Sequence, residues 1–89
     1  RYTAFAVGDV GYLTRTWHPS ERPSRLDLDP DQVWTELEVL GSTGGGFLHT
    51  EGTVEFRAHY RVDGVAGTLH ERSRFVRVDG RWVYLDDRA

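Results

Sequence analysis

Hydrophobic and polar residues alternate through most of the second half of the chain. In residues 52–62, Val54, Phe56 and Ala58 alternate with charged or polar side chains. A period of two is typical of a β-strand that buries one face and exposes the other to solvent. The same pattern predicts four strands, at about residues 34–41, 52–62, 67–78 and 81–86.

Two Asp-Gly pairs predict tight hairpin turns between the last three strands. Asp63-Gly64 and Asp79-Gly80 each separate two alternating segments. Asp-Gly is favoured there because a two-residue type I′ turn needs positive φ at both positions. Counting away from either turn places Glu71, Ser73 and Phe75 on the apolar face, since a slip of one residue would bury the charged row instead.

The two turns also predict individual cross-strand neighbours. The predicted pairs are Ala58 with Leu69, Phe56 with Glu71, Val54 with Ser73, Glu55 with Arg72, Val78 with Arg81, Phe75 with Tyr84 and Ser73 with Asp86, and Arg88 lies near Glu71. In the first strand, the alternation places Trp34 on the face opposite to Val33, Leu37 and Val39.

The first part of the chain has a helical spacing of apolar residues. Two short helices are predicted within about residues 1–18, with faces formed by Tyr2, Phe5 and Ala6 and by Val10, Leu13 and Trp17. Gly8 suits a helix C-terminus, and Asp9 can cap the next helix. A proline-containing connector spans 19–33, and the sheet spans 34–86. We expect the helices to cover the apolar face of the sheet.

Composition excludes several classes of protein. The 89 residues suffice for one domain, 1–89, and contain no cysteine, which excludes a disulfide framework and cysteine-based zinc sites. No apolar run approaches the ~18 residues of a membrane span, and the 89 residues contain no secretory h-region. We expect a cytoplasmic protein with no membrane partner. A net charge of −3 argues against a nucleic-acid partner.

Several segments together resemble a known family. The segments are Arg1-Tyr2 through Gly8-Asp9, Thr16 to Ser20, Gly52 to Phe56, Leu69 to Ser73 with Phe75, and Gly80 to Tyr84. Their order resembles the nuclear transport factor 2-like fold and, more closely, the central domain of the YchJ-like family of uncharacterised bacterial proteins. The resemblance implies an α+β cone, in which a curved four-stranded antiparallel meander carries the N-terminal helices on its concave face.

The same resemblance implies a fold without an established activity. Members of the YchJ-like family typically carry a cysteine-rich, zinc-binding SEC-C-type segment before this domain, and the 89 residues contain no such segment. The fold hosts isomerases, dehydratases and interaction modules, so the function has to be argued from particular side chains.

Glu71 is the most informative candidate for chemistry. Its register places a carboxylate on the apolar face beside Phe56, where burial would raise its pKa and suit it to act as a general acid or base. The alternative is a structural acid that Arg88 or a backbone N–H satisfies. Asp86 offers a second carboxylate near the mouth of the cone, or else a solvated group at the end of the chain.

Other side chains could complete a site around Glu71. His18 and Tyr60 are candidates for an assisting acid, although His18 can equally cap the second helix. Candidate ligand-binding residues are Trp17, Phe56, Ser73 and Tyr84, which could equally form the core. The four histidines lack the short spacing of metal ligands, and we predict no metal and no cofactor.

Three functions remain open at this point. The first is a module that binds a small apolar ligand in the cone or interacts with a protein. The second is an enzyme that transfers a proton with Glu71 as general base, in the manner of an isomerase or dehydratase. The third is an adaptor for the absent zinc segment that forms a homodimer through an apolar strip on the outer sheet face, at Val76, Val83 and Leu85.

Overall fold

The computed structural model describes residues 1–87, which form two short α-helices followed by four β-strands. The elements are α1 Tyr2–Val7, α2 Val10–Arg15, β1 Gln32–Gly44, β2 Glu51–Val62, β3 Val65–Val78 and β4 Arg81–Asp87. The strands form one antiparallel sheet in the order β1-β2-β3-β4. This is the α+β meander that the alternating pattern predicts.

The boundary between the two helices lies where the sequence predicts, but α2 ends at Arg15 with Thr16 as its C-cap, so the prediction that this helix extends through Trp17 and is capped by His18 is wrong. Gly8 ends α1 in the left-handed conformation with φ of 74°, and the Asp9 side chain accepts a hydrogen bond of 3.0 Å from the backbone N–H of Tyr12. Leu13 is completely buried, but Val10 is 38% exposed, so the predicted buried face of α2 is wrong at Val10. Both helices have six residues, and no helix within residues 1–87 is long and apolar enough to cross a membrane. The cytoplasmic location stays a prediction.

After α2, the chain runs along the free edge of β4. The backbone N–H of Tyr84 donates to the carbonyl of Thr16 at 2.8 Å, and the N–H of His18 donates to the carbonyl of Tyr84 at 2.7 Å. Trp17 therefore forms a parallel bridge with Tyr84. These bonds occupy edge groups that would otherwise be open to another strand, and they fix α2 against this side of the sheet.

Both Asp-Gly turns have the predicted geometry. Asp63 and Asp79 have φ of 50° and 51°, and the following Gly64 and Gly80 have φ of 78° and 79°. Positive φ at both turn residues matches the right-handed twist of the strands. The register between β2 and β3 is the predicted one at every position, including Phe56 opposite Glu71.

We call the apolar side of the sheet, which carries Phe56 and Glu71, the inner face, and the opposite side the outer face. A β-bulge in β1 changes the predicted orientation of Trp34. Trp34 pairs with Tyr60, but Glu36 pairs with His59, so Thr35 is an extra residue in β1. The bulge brings Trp34 onto the inner face, whereas Val33 is 59% exposed.

The predicted pairing of Asp86 with Ser73 is wrong because β4 contains a second irregularity. Phe75 pairs with Tyr84 as predicted, but the next pairs are Arg74 with Asp86 and Ser73 with Asp87. Leu85 is the extra residue, and it moves Asp86 to the outer face. The Arg74 guanidinium binds both oxygens of Asp86, each at 2.6 Å. The predicted neighbour Arg88 lies outside the described residues.

The helices cover only part of the inner face. The buried apolar residues of the described chain are Ala4, Leu13 and Ala58. On the inner face, Leu37 and Leu69 remain 39% and 37% exposed. Strands of 13, 12 and 14 residues present more apolar surface than two six-residue helices can hide.

A substitution in the β3–β4 turn tests whether the positive φ of Gly80 requires glycine. We expect Gly80→Ala to lower the free energy of unfolding by about 1–2 kcal/mol, because an L side chain is disfavoured at positive φ. Gly41→Ala is the matched control, since Gly41 lies in β1 with open space around its Cα and an ordinary φ. Urea unfolding followed by circular dichroism measures both. Equal effects of the two substitutions would contradict the turn assignment.

Candidate functional site

A cavity of about 310 Å³ lies between the N-terminal segment and the inner face of the sheet. An engineered cavity of about 150 Å³ already binds benzene, so this space suffices for a larger small molecule. The wall consists mainly of aromatic and aliphatic side chains. It is formed by Arg1, Tyr2, Phe5, Trp17, Trp34, Leu37, Val39, Val54, Phe56, Ala58, Leu69, Glu71, Ser73, Phe75 and Tyr84.

Aromatic contacts hold the helices over the sheet on two sides of the cavity. On one side, Trp34 packs against Tyr2 and Phe5, with ring centroids 6.2 Å apart in both pairs. On the other side, Trp17 meets Tyr84 edge to face at 5.1 Å. Such pairs stabilise by about 0.5–1.5 kcal/mol each beyond the burial of their area. The cavity is the space that these contacts leave between them.

Glu71 is the carboxylate of the cavity wall. It lies in β3 between Leu69 and Ser73 on the inner face, and the Ser73 hydroxyl donates a hydrogen bond of 3.3 Å to its Oε2. Burial raises the pKa of Glu71 above its usual value, and the negative charge of Asp87 raises it further. The Ser73 hydrogen bond and the positive charge of Arg1 act against these two effects.

The Arg1 side chain encloses one end of the cavity. Its guanidinium carbon lies 4.2 Å from the ring centre of Tyr84, 5.0 Å from that of Trp17 and 5.7 Å from that of Phe5. Nη1 also donates to the carbonyl of Leu13 at 3.5 Å. Burial lowers the pKa of this guanidinium, while Tyr84 and Glu71 counteract the decrease. The cation therefore joins α1 and α2 to β4 and supplies positive charge beside Glu71.

Tyr84 adds a phenol that stays protonated. Burial raises its pKa to about 12, and the charge of Glu71 contributes to the increase. Near neutral pH its hydroxyl can therefore donate a hydrogen bond or a proton but carries no charge.

The second carboxylate on the inner face is Asp87 rather than Asp86. The bulge at Leu85 places Asp87 opposite Ser73, and Asp87 Oδ1 accepts a hydrogen bond of 3.3 Å from the backbone N–H of Arg72. The sequence analysis missed both Asp87 and Arg1. No residue type marks the bulge, and the position of Arg1 depends on packing between distant segments.

The predicted ligand-binding residues line the cavity, whereas the predicted assisting acids, His18 and Tyr60, do not. Trp17, Phe56, Ser73 and Tyr84 all line the cavity with Glu71. His18 is directed elsewhere, since its Nδ1 accepts from the backbone N–H of Ser20 at 3.1 Å and lies 2.7 Å from the Ser20 hydroxyl.

Tyr60 also lies outside the cavity wall. Its ring packs edge to face on Trp34 at 5.4 Å and covers Gly67, where an added Cβ would lie 2.5 Å from the ring. The structure therefore does not bring His18 and Tyr60 together with Glu71, and their catalytic role stays a prediction.

The outer face carries charged cross-strand contacts. His59 Nε2 lies 2.5 Å from Glu38 Oε1, and His59 Nδ1 lies 3.0 Å from the Thr68 hydroxyl. The hydrogen bond to His59 lowers the pKa of Glu38. His70 Nε2 is 2.7 Å from Glu55 Oε2. Within residues 1–87, no group of three histidine, aspartate or glutamate side chains could hold a metal ion.

The apolar strip predicted on the outer face is less exposed than expected. Val76 pairs with Val83 across β3 and β4, and Val76, Val83 and Leu85 are each half-buried. Leu85 is the bulge residue rather than a regular member of the row. Dimerisation through this strip stays a prediction.

The electrostatics of Glu71 predict a pH-dependent effect of its removal. Because the pKa of Glu71 in the folded state exceeds the usual 4.5, its contribution to stability is complete below that pH and is lost as pH rises through the folded-state pKa. We expect Glu71→Gln to become increasingly stabilising relative to wild type between about pH 4 and pH 7.

Denaturant unfolding at several pH values measures this difference in the free energy of unfolding. Glu36→Gln, at an exposed outer-face position, is the control for removing one negative charge. A Glu71→Gln effect that is independent of pH, or that decreases as pH rises, would contradict the raised pKa.

Comparison with known proteins finds similar proteins that share the description UPF0225. A UPF0225 protein of Streptomyces coelicolor is 62% identical over 97% of this chain and 66% of its own length. A UPF0225 protein of Streptomyces avermitilis is 55% identical over 97% of this chain and 59% of its own length. The chain thus spans about three fifths to two thirds of these relatives.

A solved structure gives the same fold. The solution structure of RPA3114, a SEC-C motif containing protein from Rhodopseudomonas palustris, is similar with a TM-score of 0.83 and 36% identity, covering 100% of this chain and 72% of that one. The family profile described as "YchJ, middle NTF2-like domain" matches residues 1–87. The chain therefore belongs to the YchJ family and corresponds to its middle, NTF2-like domain.

Proposed function

We propose that the inner-face cavity binds a small, mostly apolar molecule and that Glu71 is its polar contact. The observation that carries this proposal is a cavity of about 310 Å³ whose wall is mainly aromatic and aliphatic and includes one carboxylate, that of Glu71. Preformed apolar pockets with a few polar groups are typical of small-molecule sites. The partly exposed Leu37 and Leu69 in the wall allow contact with solvent.

The polar groups favour a particular kind of ligand. Glu71 accepts a hydrogen bond from Ser73, and an ionised carboxylate has about four acceptor sites, which leaves room for a donor on the ligand. Asp87 adds negative charge near Glu71 and the Arg1 guanidinium adds positive charge, so charges of both signs lie near Glu71 and neither an anionic nor a cationic ligand is specifically favoured. A neutral molecule with an apolar body and one N–H or O–H donor fits the cavity best.

The same residues support a second function, proton transfer with Glu71 as general base. The observation in favour is the raised pKa of Glu71, which brings a carboxyl group nearer to the working pH of a base. His18 and Tyr60 do not line the cavity. In this second function Tyr84, which lines the cavity, replaces them as a hydrogen-bond donor, because a pKa of about 12 keeps its hydroxyl protonated.

Two matched fluorescent probes test the proposed contact with Glu71. N-phenylnaphthylamine has an N–H donor, and phenylnaphthalene has the same ring systems without it. We expect saturable binding of both by wild type, with a preference of about tenfold for the amine, the usual size for a hydrogen bond to a charged group. In Glu71→Leu the preference should disappear, while phenylnaphthalene binding is kept.

Circular dichroism controls for correct folding of Glu71→Leu. If neither probe saturates the wild-type protein, the binding proposal is wrong. If both bind but the preference survives in Glu71→Leu, the cavity binds ligands without using Glu71.

A substitution in the wall tests the location of the binding site. We expect Leu69→Gln to weaken the binding of both probes by about tenfold, since it removes apolar contact from the cavity. Val65→Gln is the matched control, because Val65 lies in the same strand, is 70% exposed and does not line the cavity. Fluorescence titration measures both variants. A larger effect at Val65 than at Leu69 would place the bound probe elsewhere.

A further inference from the structure

An apolar groove adjoins the ligand cavity near the loop between β1 and β2. It has a volume of about 270 Å³ and is lined by Thr43, Gly45, Gly52, Thr53, Val54, Phe75 and Trp82. Two of these residues, Val54 and Phe75, also belong to the wall of the cavity. The groove and the cavity therefore meet at two shared side chains, and one ligand can contact both.

The strands place the groove one step beyond the cavity in a single direction. On β2, Gly52 precedes Val54 by two residues, and on β4, Trp82 precedes Tyr84 by two residues. Residues two apart lie on the same face of a strand. Because Val54 and Tyr84 line the cavity, the groove continues the inner-face site along the strands, toward the β1–β2 loop and the beginning of β4.

The lining of the groove favours an uncharged, apolar occupant. None of its residues carries a charge, and the hydroxyls of Thr43 and Thr53 are hydrogen-bonded to each other at 2.5 Å. Phe75 and Trp82 supply aromatic surface, and both are only half-buried. A ligand confined to the cavity would leave this surface in contact with water, whereas an apolar group in the groove would gain from covering it.

Contacts of Arg77 hold both sides of the groove in place. Its Nη1 donates to the carbonyl of Phe47 at 2.9 Å and its Nη2 to that of Gly46 at 3.4 Å, which fixes the loop that follows Gly45. Its guanidinium also lies 4.8 Å from the ring centre of Trp82. The groove is therefore formed before a ligand arrives, which reduces the entropy lost on binding.

We propose that the inner-face site binds an elongated neutral ligand, whose donor group meets Glu71 and whose linear apolar tail lies in the groove. This inference rests on the proposed function of the cavity and adds the shape of its ligand. Glu71 and Phe75 are four residues apart on β3, which corresponds to ~13 Å along the strand. An extended alkyl chain with C–C bonds of ~1.5 Å advances ~1.25 Å per carbon, so about ten carbons span this distance.

Primary alkanols from hexan-1-ol to decan-1-ol test the proposal, because they share one O–H donor and differ only in tail length. In titrations followed by amide NMR signals, we expect affinity to rise about fourfold per methylene, or ~200-fold over the series. The terminal methyl of bound decan-1-ol should show nuclear Overhauser contacts to Gly52 and to the Trp82 ring.

The possible results separate this inference from the proposed function. An affinity that stops rising before decan-1-ol, or a terminal methyl without those contacts, would overturn the elongated ligand and leave the cavity proposal intact. If no alkanol saturates the protein, the proposed function fails and the inference fails with it.

A substitution in the groove tests its contribution separately. Trp82 does not line the cavity, so we expect Trp82→Gln to weaken decan-1-ol binding about tenfold through lost apolar contact and to leave hexan-1-ol binding unchanged. Phe47→Gln is the matched control, since Phe47 is an 88% exposed aromatic residue of the adjoining loop that lines neither site. Unchanged decan-1-ol binding in Trp82→Gln, or an equal loss in Phe47→Gln, would overturn the proposal. If Trp82→Gln does not fold, the Overhauser contacts in wild type decide the question.

Discussion

The structure depends on one constraint: most of the large aromatic and aliphatic side chains of a long four-stranded sheet lie on its inner face, and two six-residue helices must cover that face. The cover is positioned by aromatic contacts at its two sides and by the backbone bonds between Thr16, His18 and Tyr84. Because the helices are shorter than the strands, they cover only part of the inner face, and a cavity remains between the helical segment and the sheet. The cavity is thus a consequence of the small size of the helical layer.

The charged side chains near Glu71 determine which ligands the cavity can bind and which reactions it can support. Burial in the apolar wall raises the pKa of Glu71, the charge of Asp87 raises it further, and the Ser73 hydrogen bond and the charge of Arg1 oppose the increase. Three aromatic rings surround the Arg1 guanidinium, which lets a cation remain partly buried. A partly buried carboxylate that interacts electrostatically with a cation and with a second carboxylate suits either the recognition of a ligand donor or proton transfer. Both proposed functions rest on this arrangement.

Most of the sheet could be predicted from short-range signals. The Asp63-Gly64 turn requires positive φ twice, so it determined the whole β2–β3 register and placed Glu71 correctly. Gly8 and Asp9 likewise located the boundary between the helices, because left-handed backbone and N-capping are properties of single residues.

The positions of Trp34, Asp87 and Arg1 could not be predicted, because they depend on features that no local sequence pattern indicates. The bulges at Thr35 and Leu85 involve residues with ordinary strand preferences, and each changes which side chains reach the inner face. Trp34 and Asp87 were therefore misplaced or missed. Arg1 was missed because its contacts join the start of α1 to β4 across the molecule, and sequence spacing does not report such packing.

The most direct test of the central claim, an accessible apolar cavity under the helices, is methyl NMR of the protein under xenon pressure. Xenon enters apolar cavities and shifts the methyl signals that line them. The account predicts saturable shifts at Leu37, Ala58 and Leu69, all in the wall, and none at Val65. Unchanged signals at all three wall residues would show that no such cavity exists in solution.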